Sequence, residues 1–162
     1  MNTLVLFRHG IAEDPKPGEP DQERGLTDKG IKKTQQAAAG LAALIDKPDV
    51  ILTSPKLRAV QSAEIVGRAF KREPEVLDAL GEGTAKQILA DLQRRSESVV
   101  LIVGHEPTLS QLVGLICTGR GRSYIELRKA GCACIEMGKS GGHGQPRAAI
   151  KWLATAGMLR RY

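Results

Sequence analysis

The sequence predicts an α/β chain: a mainly parallel, mixed sheet with helices on both faces. Three observations lead there. The short aliphatic runs LVLF, VILT and VVLIV are each followed by a segment with apolar residues at helical spacing, the alternation from which parallel sheets are built. The last two apolar runs, CACIEMG and AAIKWLAT, are separated only by the Gly-rich KSGGHGQPR, which is short enough for a hairpin and adds an antiparallel pair. The chain has 162 residues, 41% of them hydrophobic and 26% charged, enough for one domain over 1–162 with a buried core and no interdomain linker.

Element by element, LVLF is the first strand. PKPGEPDQ, residues 15–22, is a loop by its proline and glycine content. GLTDKGIKKTQQAAAGLAALI opens a helix with Thr27 as N-cap and Asp28 at the positive end of the dipole, and Ile31, Ala38, Leu41 and Ile45 recur on one face. DVILTSP is a strand ended by Pro55, and KLRAVQSAEIVGRAF is a second helix. TAKQILADLQRR is a third, with Ile88, Leu89 and Leu92 on one side. SVVLIVGHEP is a β-branched strand, and TLSQLVGLICTG a helix closed by Gly119. Cys132 and Cys134 alternate onto one strand face and read as core.

Composition narrows the function. Aromatics make up 3%, too few for the stacking platforms of single-strand binders, so nucleic acid is not an expected partner; Arg120 and Arg122 in GRGR read as a solvated loop or a rim for acidic substrates. No apolar stretch approaches a membrane span and no signal peptide is visible, so no membrane partner is expected. Three cysteines without a CxxC pair argue against a disulfide framework, and a cytoplasmic location is expected. The net charge of +6 favours anionic partners.

Three strands end in the same way. LVLF runs into Arg8-His9-Gly10, VILTSP into Lys56-Leu57-Arg58, and VVLIV into Gly104-His105-Glu106-Pro107. Ligands of open parallel sheets bind outside the carboxyl ends of the strands, so these residues should meet on one rim. Arg8, Arg58 and Arg24 bring fixed positive charge suited to phosphate oxygens. No carboxylate is apparent in the cluster, and two histidines alone make no zinc set. A cationic pocket with two imidazoles points to phosphoryl transfer through histidine, with the arginines lowering the imidazole pKa and stabilising charge on the equatorial oxygens.

FRHG after the first strand, RGLTDKG opening a helix, TSPKLRAVQSAEIV and VGHEPTLSQL together resemble the histidine phosphatase superfamily, phosphoglycerate-mutase-like proteins. The small size, the block spacing and the closing AGCACIEMG and IKWLATAGML resemble its SixA branch of phosphohistidine phosphatases. The resemblance implies a three-layer α/β/α sandwich and no metal or organic cofactor. It implies His9 as phosphoryl acceptor, Arg8 and Arg58 as phosphate grip, and His105 as a donor to a phosphate oxygen. Arg24 falls at the phosphate's edge, and Gly10 among the substrate-binding residues. Larger members of the superfamily carry a glutamate as general acid after the second arginine block. In LDALGEGTAKQ the nearest candidate is Glu82, in a poorly matching context that also suits an ordinary loop carboxylate.

The expected substrate is a phosphorylated signalling or phosphotransfer protein, since no long insertion covers the site. The alternatives are a small phosphate ester or phosphorylated metabolite, or a phosphate-binding module without catalysis, which the intact His9 disfavours. His143, in the Gly-rich connection, reads as inert. Glu13 and Asp14 follow the nucleophile loop without an assigned role.

Overall fold

The computed structural model describes residues 1–138 and 148–162. Its sheet has six strands: β1 (Thr3–Arg8), β2 (Val50–Thr53), β3 (Pro74–Val76), β4 (Val99–Gly104), β5 (Cys132–Met137) and β6 (Ala148–Ala154). Their spatial order is β3-β2-β4-β1-β5-β6. The β1–β4, β2–β4 and β2–β3 pairs are parallel; β1–β5 and β5–β6 are antiparallel. The sheet is therefore mixed and the closing pair is antiparallel, as the sequence predicts. Its connection, with His143, lies outside the described residues.

Six helices cover the sheet: α1 (Asp28–Leu44), α2 (Leu57–Phe70), α3 (Ala79–Glu82), α4 (Ala85–Gln93), α5 (Thr108–Thr118) and α6 (Ala156–Leu159). Side chains alternate along each strand, and this alternation makes two cores. Val5, Phe7, Ile51, Leu101, Val103, Cys132 and Cys134 pack with Ala38 and Leu41 of α1, Ala63 and Val66 of α2, and Leu159 of α6. Leu4, Leu6, Leu52, Val100, Ile102 and Ile135 pack on the other face with Leu80 of α3, Ile88 and Leu92 of α4, and Leu109 and Leu112 of α5. This is the three-layer α/β/α sandwich.

The helix ends obey local chemistry. Thr27 caps α1 by accepting the Gly30 N–H, and Thr84 and Gln87 form a reciprocal capping box on α4. Gly119 ends α5 in the left-handed region, φ 73°, where a Cβ is unfavourable. Gly30 is required for close approach: a Cβ there would lie 2.0 Å from the Ile11 carbonyl oxygen, so α1 presses directly on the loop after β1.

The register matters most for function. Arg8 pairs with Gly104 and Thr53 with Val103, so β1, β2 and β4 end at nearly the same level. The residues that follow are thereby delivered to one rim. Among the described residues no helix is long and apolar enough to cross a membrane.

Candidate active site

His9 leaves β1 with its backbone N–H donating to the Gly104 carbonyl at 3.1 Å. That bond continues the β1–β4 ladder one residue past the strands and sets His9 beside His105. The two ring centroids are 4.9 Å apart, tilted by 55°. His9 is buried and His105 half-buried.

The orientation of His9 is fixed by its neighbour. Its Nδ1 lies 2.7 Å from the Gly10 carbonyl oxygen. A carbonyl only accepts, so Nδ1 carries the proton and Nε2 holds a free lone pair in the neutral ring. Gly10 is itself seated tightly. Its N–H donates to Ser62 Oγ at 3.0 Å, Ser62 donates to the Arg58 carbonyl at 2.6 Å, and a Cβ on Gly10 would lie 2.3 Å from Thr34 Oγ1. Gly10, expected among the substrate-binding residues, thus has both backbone groups committed to holding His9 and α2.

Burial and charge keep both rings neutral. The His9 pKa falls to about 4, first through desolvation and then through Arg58, Arg8 and Lys129, against the opposing Gly10 hydrogen bond. That of His105 falls to about 3, again through desolvation first, then through His9, Arg58 and Lys56. The sequence points to the arginines as the cause of this depression; removal from water is the larger one. His105 Nε2 lies 2.7 Å from Ser54 Oγ, which also accepts the Lys56 N–H at 3.2 Å. Its Nδ1 is buried without a hydrogen-bond partner among the described residues, and so is Nε of Arg8.

The arginines come from both sides. Arg8 donates through Nη1 to the Leu127 carbonyl at 2.7 Å. The Leu127 N–H in turn donates to Glu106 Oε1 at 2.9 Å, and Ser110 Oγ donates to the same oxygen at 2.5 Å. The adjoining loop grips β1 as well: Arg8 N–H donates to the Gly131 carbonyl, and Ala130 N–H to the carbonyls of Arg8 and His9. Ala130 sits at φ 55°, an unusual conformation for a residue with a side chain.

On the opposite side a 3₁₀ turn, Asp21–Glu23, lies against α2. Arg58 donates through Nη1 to the Asp21 carbonyl at 2.6 Å and through Nη2 to Asp21 Oδ2 at 2.9 Å. Arg24 donates to Asp21 Oδ1 at 2.6 Å, and Lys56 Nζ is 3.7 Å from Oδ2. Arg24 also donates through Nε to the Glu13 carbonyl at 2.8 Å, so Glu13 serves through its backbone.

The structure therefore brings Arg8, His9, Arg58 and His105 to one rim, with Arg24 joined to it through Asp21. It also corrects the reading that no carboxylate belongs to the cluster, because Asp21 pairs with Arg24, Arg58 and Lys56. Glu82 is exposed at the end of α3 and makes no hydrogen bond to these residues. It lines a groove of about 570 Å³ with Gln22, Glu23, Lys56, Leu57 and Asp78. Sequence reasoning misses Asp21, Ser54 and Ser62, and names Glu106 only as part of a strand end. The D-x-x-R spacing of Asp21 and Arg24 is a signal that could have found the first. Arg120 and Arg122 lie on an exposed loop. Among the described residues no group of three His, Cys, Asp or Glu side chains could hold a metal ion.

This rim, at the carboxyl ends of parallel strands, is lined by two histidines and by arginines. The family model of the histidine phosphatase superfamily (branch 1) matches residues 4–87, and the chain belongs to that superfamily. It is a phosphatase of the hydrolase class. An uncharacterized protein of Picosynechococcus sp. is 36% identical over 140 residues, covering 83% of this chain and 85% of the relative. Phosphohistidine phosphatase SixA of Escherichia coli K12 is 28% identical over 122 residues, covering 72% and 74%. A solved structure of the protein histidine phosphatase SixA with tungstate superposes with a TM-score of 0.80 at 25% identity, covering 95% of this chain and 97% of that one.

Proposed function

We propose that this phosphatase removes the phosphoryl group from a histidine of a phosphorylated signalling or phosphotransfer protein, through a covalent phosphohistidine on His9. The observation that carries the reading is the hydrogen bond from His9 Nδ1 to the Gly10 carbonyl. It leaves Nε2 unprotonated in a ring that burial keeps neutral, which is what a nucleophilic imidazole requires. The likeness to SixA, a protein histidine phosphatase solved with the tetrahedral oxyanion tungstate, supports the same reading.

In the first half-reaction His9 Nε2 attacks phosphorus while the bond from phosphorus to the substrate's imidazole nitrogen breaks. The substrate ring, protonated beforehand from solvent on its other nitrogen, leaves as neutral imidazole. In the second, water attacks the phosphorus of phospho-His9, the P–Nε2 bond breaks, and inorganic phosphate departs. Arg8 Nε and His105 Nδ1, buried without partners among the described residues, are the donors assigned to the equatorial oxygens, with Arg58 and Arg24 on the other side. The Ser54 hydroxyl supports the Nδ1–H tautomer of His105 by donating to Nε2.

The leaving group decides between this reading and a small phosphate ester. An alkoxide is a strong base and gains roughly 10²–10⁴ in rate from a general acid. An imidazole, which ordinarily titrates near pH ~6.5, leaves without a strong acid beside it. Glu82, the candidate acid, lies out on the groove wall, and that groove is the feature favouring the small-ester reading. The test compares kcat/KM for a phosphohistidine protein and an alkyl phosphate in wild type and Glu82→Gln. The phosphohistidine protein should be preferred, and its turnover should barely change in the variant. A better alkyl substrate whose turnover collapses in Glu82→Gln would establish the metabolite reading.

A further inference from the structure

Asp21 belongs to no strand end, yet more charge converges on it than on any other carboxylate among the described residues. Arg24, Arg58 and Lys56 all reach it, at 2.6, 2.9 and 3.7 Å. Its backbone carbonyl takes a further Arg58 nitrogen, so this one residue satisfies two of the five N–H donors of that guanidinium. Arg58 is buried, whereas the Asp21 side chain is 53% exposed, so the carboxylate closes the arginine cluster from the solvent side. Asp21 is also close enough to His105 to act on its ionisation, against the cations.

An acceptor-only group held on arginines is poorly suited to donate a proton. Its pKa is pushed down to about 2, first by the Arg58 hydrogen bond and then by that of Arg24. What it can do is oppose charge. Around the proposed phosphate pocket Arg58, Arg8 and Lys129 act on His9, Arg58 and Lys56 act on His105, and Arg24 joins them through Asp21. Every turnover ends with an inorganic phosphate, largely dianionic, in that pocket. Four or five cations without a counter-charge would retain it.

We infer that Asp21 is an internal counter-anion of the phosphate pocket: it holds Arg24 and Arg58 in position and, by repulsion, loosens the product phosphate. The inference rests on the pocket assignment made above, and not on the identity of the leaving group. A purely scaffolding Asp21 gives the opposite sign, because losing it would free the guanidiniums and weaken anion binding.

The experiment is a calorimetric titration of wild type, Asp21→Asn and Arg58→Ala with inorganic phosphate, and separately with tungstate. Asp21→Asn keeps the size and an acceptor and removes the charge. It should bind phosphate roughly tenfold tighter, the scale of a part-exposed charge acting on a dianion. With an aryl phosphate, KM and kcat should both fall, as expected when product release is slowed. Equal or weaker phosphate binding by Asp21→Asn overturns the inference. Should Asp21→Asn be too unstable to titrate, its own thermal unfolding decides. The rise in Tm on adding phosphate should exceed that of wild type, and a smaller rise overturns the inference. Undiminished phosphate binding by Arg58→Ala would instead refute the pocket assignment itself, a separate failure.

Discussion

Arg8 and Arg58 both act on His9 but are held by different kinds of partner. Arg8 is tied to the Leu127 carbonyl, inside a largely buried polar chain that runs from Leu127 through Glu106 to Ser110. Arg58 is tied to a carboxylate on a short exposed turn. Buried hydrogen-bonded groups are costly to leave unpaired, whereas exposed ion pairs contribute little to stability. One flank should therefore behave as structure and the other as adjustable charge.

The largest effect should come from what both flanks serve. His9→Ala should abolish turnover, and wild type trapped in mid-reaction should carry an acid-labile, alkali-stable phosphoramidate. Near wild-type turnover by the variant would remove His9 from the role.

On the exposed flank, Arg58→Ala should lower kcat by about 10²–10³, the loss typical of one preorganised donor to transition-state charge. Arg58 itself is buried, so the variant's unfolding free energy should fall as well, but by less than the reaction barrier rises. His105→Ala should cost a similar factor, and the double variant less than the product of the two, because both groups act on one phosphoryl. Multiplicative losses would mean separate pockets.

On the buried flank, Glu106→Ala should reverse that balance. It orphans the buried Leu127 N–H, and stability should fall by about 2 kcal/mol in denaturant unfolding. The rate should fall less than in Arg58→Ala. If the two variants lose rate and stability in the same proportion, the flanks do not differ in the way their partners imply.

The last effect concerns acid. Both imidazoles titrate below their ordinary value in the folded chain, so the unfolded chain binds more protons below about pH 6.5. Their contribution is intact above that pH and is lost as pH falls toward 4 and 3. The depressed Asp21 carboxyl adds a further loss below its ordinary value of 3.8, toward about 2. Unfolding free energy measured between pH 7 and pH 4 should decline, and less steeply in His9→Gln. An identical slope would show that His9 is not kept neutral by the fold.

The two flanks also differ in how visible they are in the sequence. Strand ends with unusual polar residues are legible because packing does not require them, and Arg8, His9, Arg58 and His105 all stand out in that way. The same holds for β1, β2, β4 and the four longer helices, whose apolar spacing repeats. β3 has only three residues and starts with proline, and α3 and α6 have four each, too short for a period to repeat. The Leu127 acceptor is a backbone carbonyl, and a backbone carbonyl leaves no mark on side-chain identity. Asp21 lies at the end of a stretch that reads as loop from its prolines and glycine, where a carboxylate attracts no notice. Its partners come from 3 and 37 residues away, and only folding brings the second one close.

The strand order has a consequence for when the site assembles. His9 and Arg58 follow β1 and β2, both ahead of β4 in the chain. They are not adjacent, because β4 separates β1 from β2 in the sheet. A nascent chain that has not yet reached Val99 has nothing to fill that gap, and its Gly10 and Ser62 have no shared frame in which to meet. The rim that gathers His9, Arg58 and His105 therefore forms only once β4 has inserted between β1 and β2.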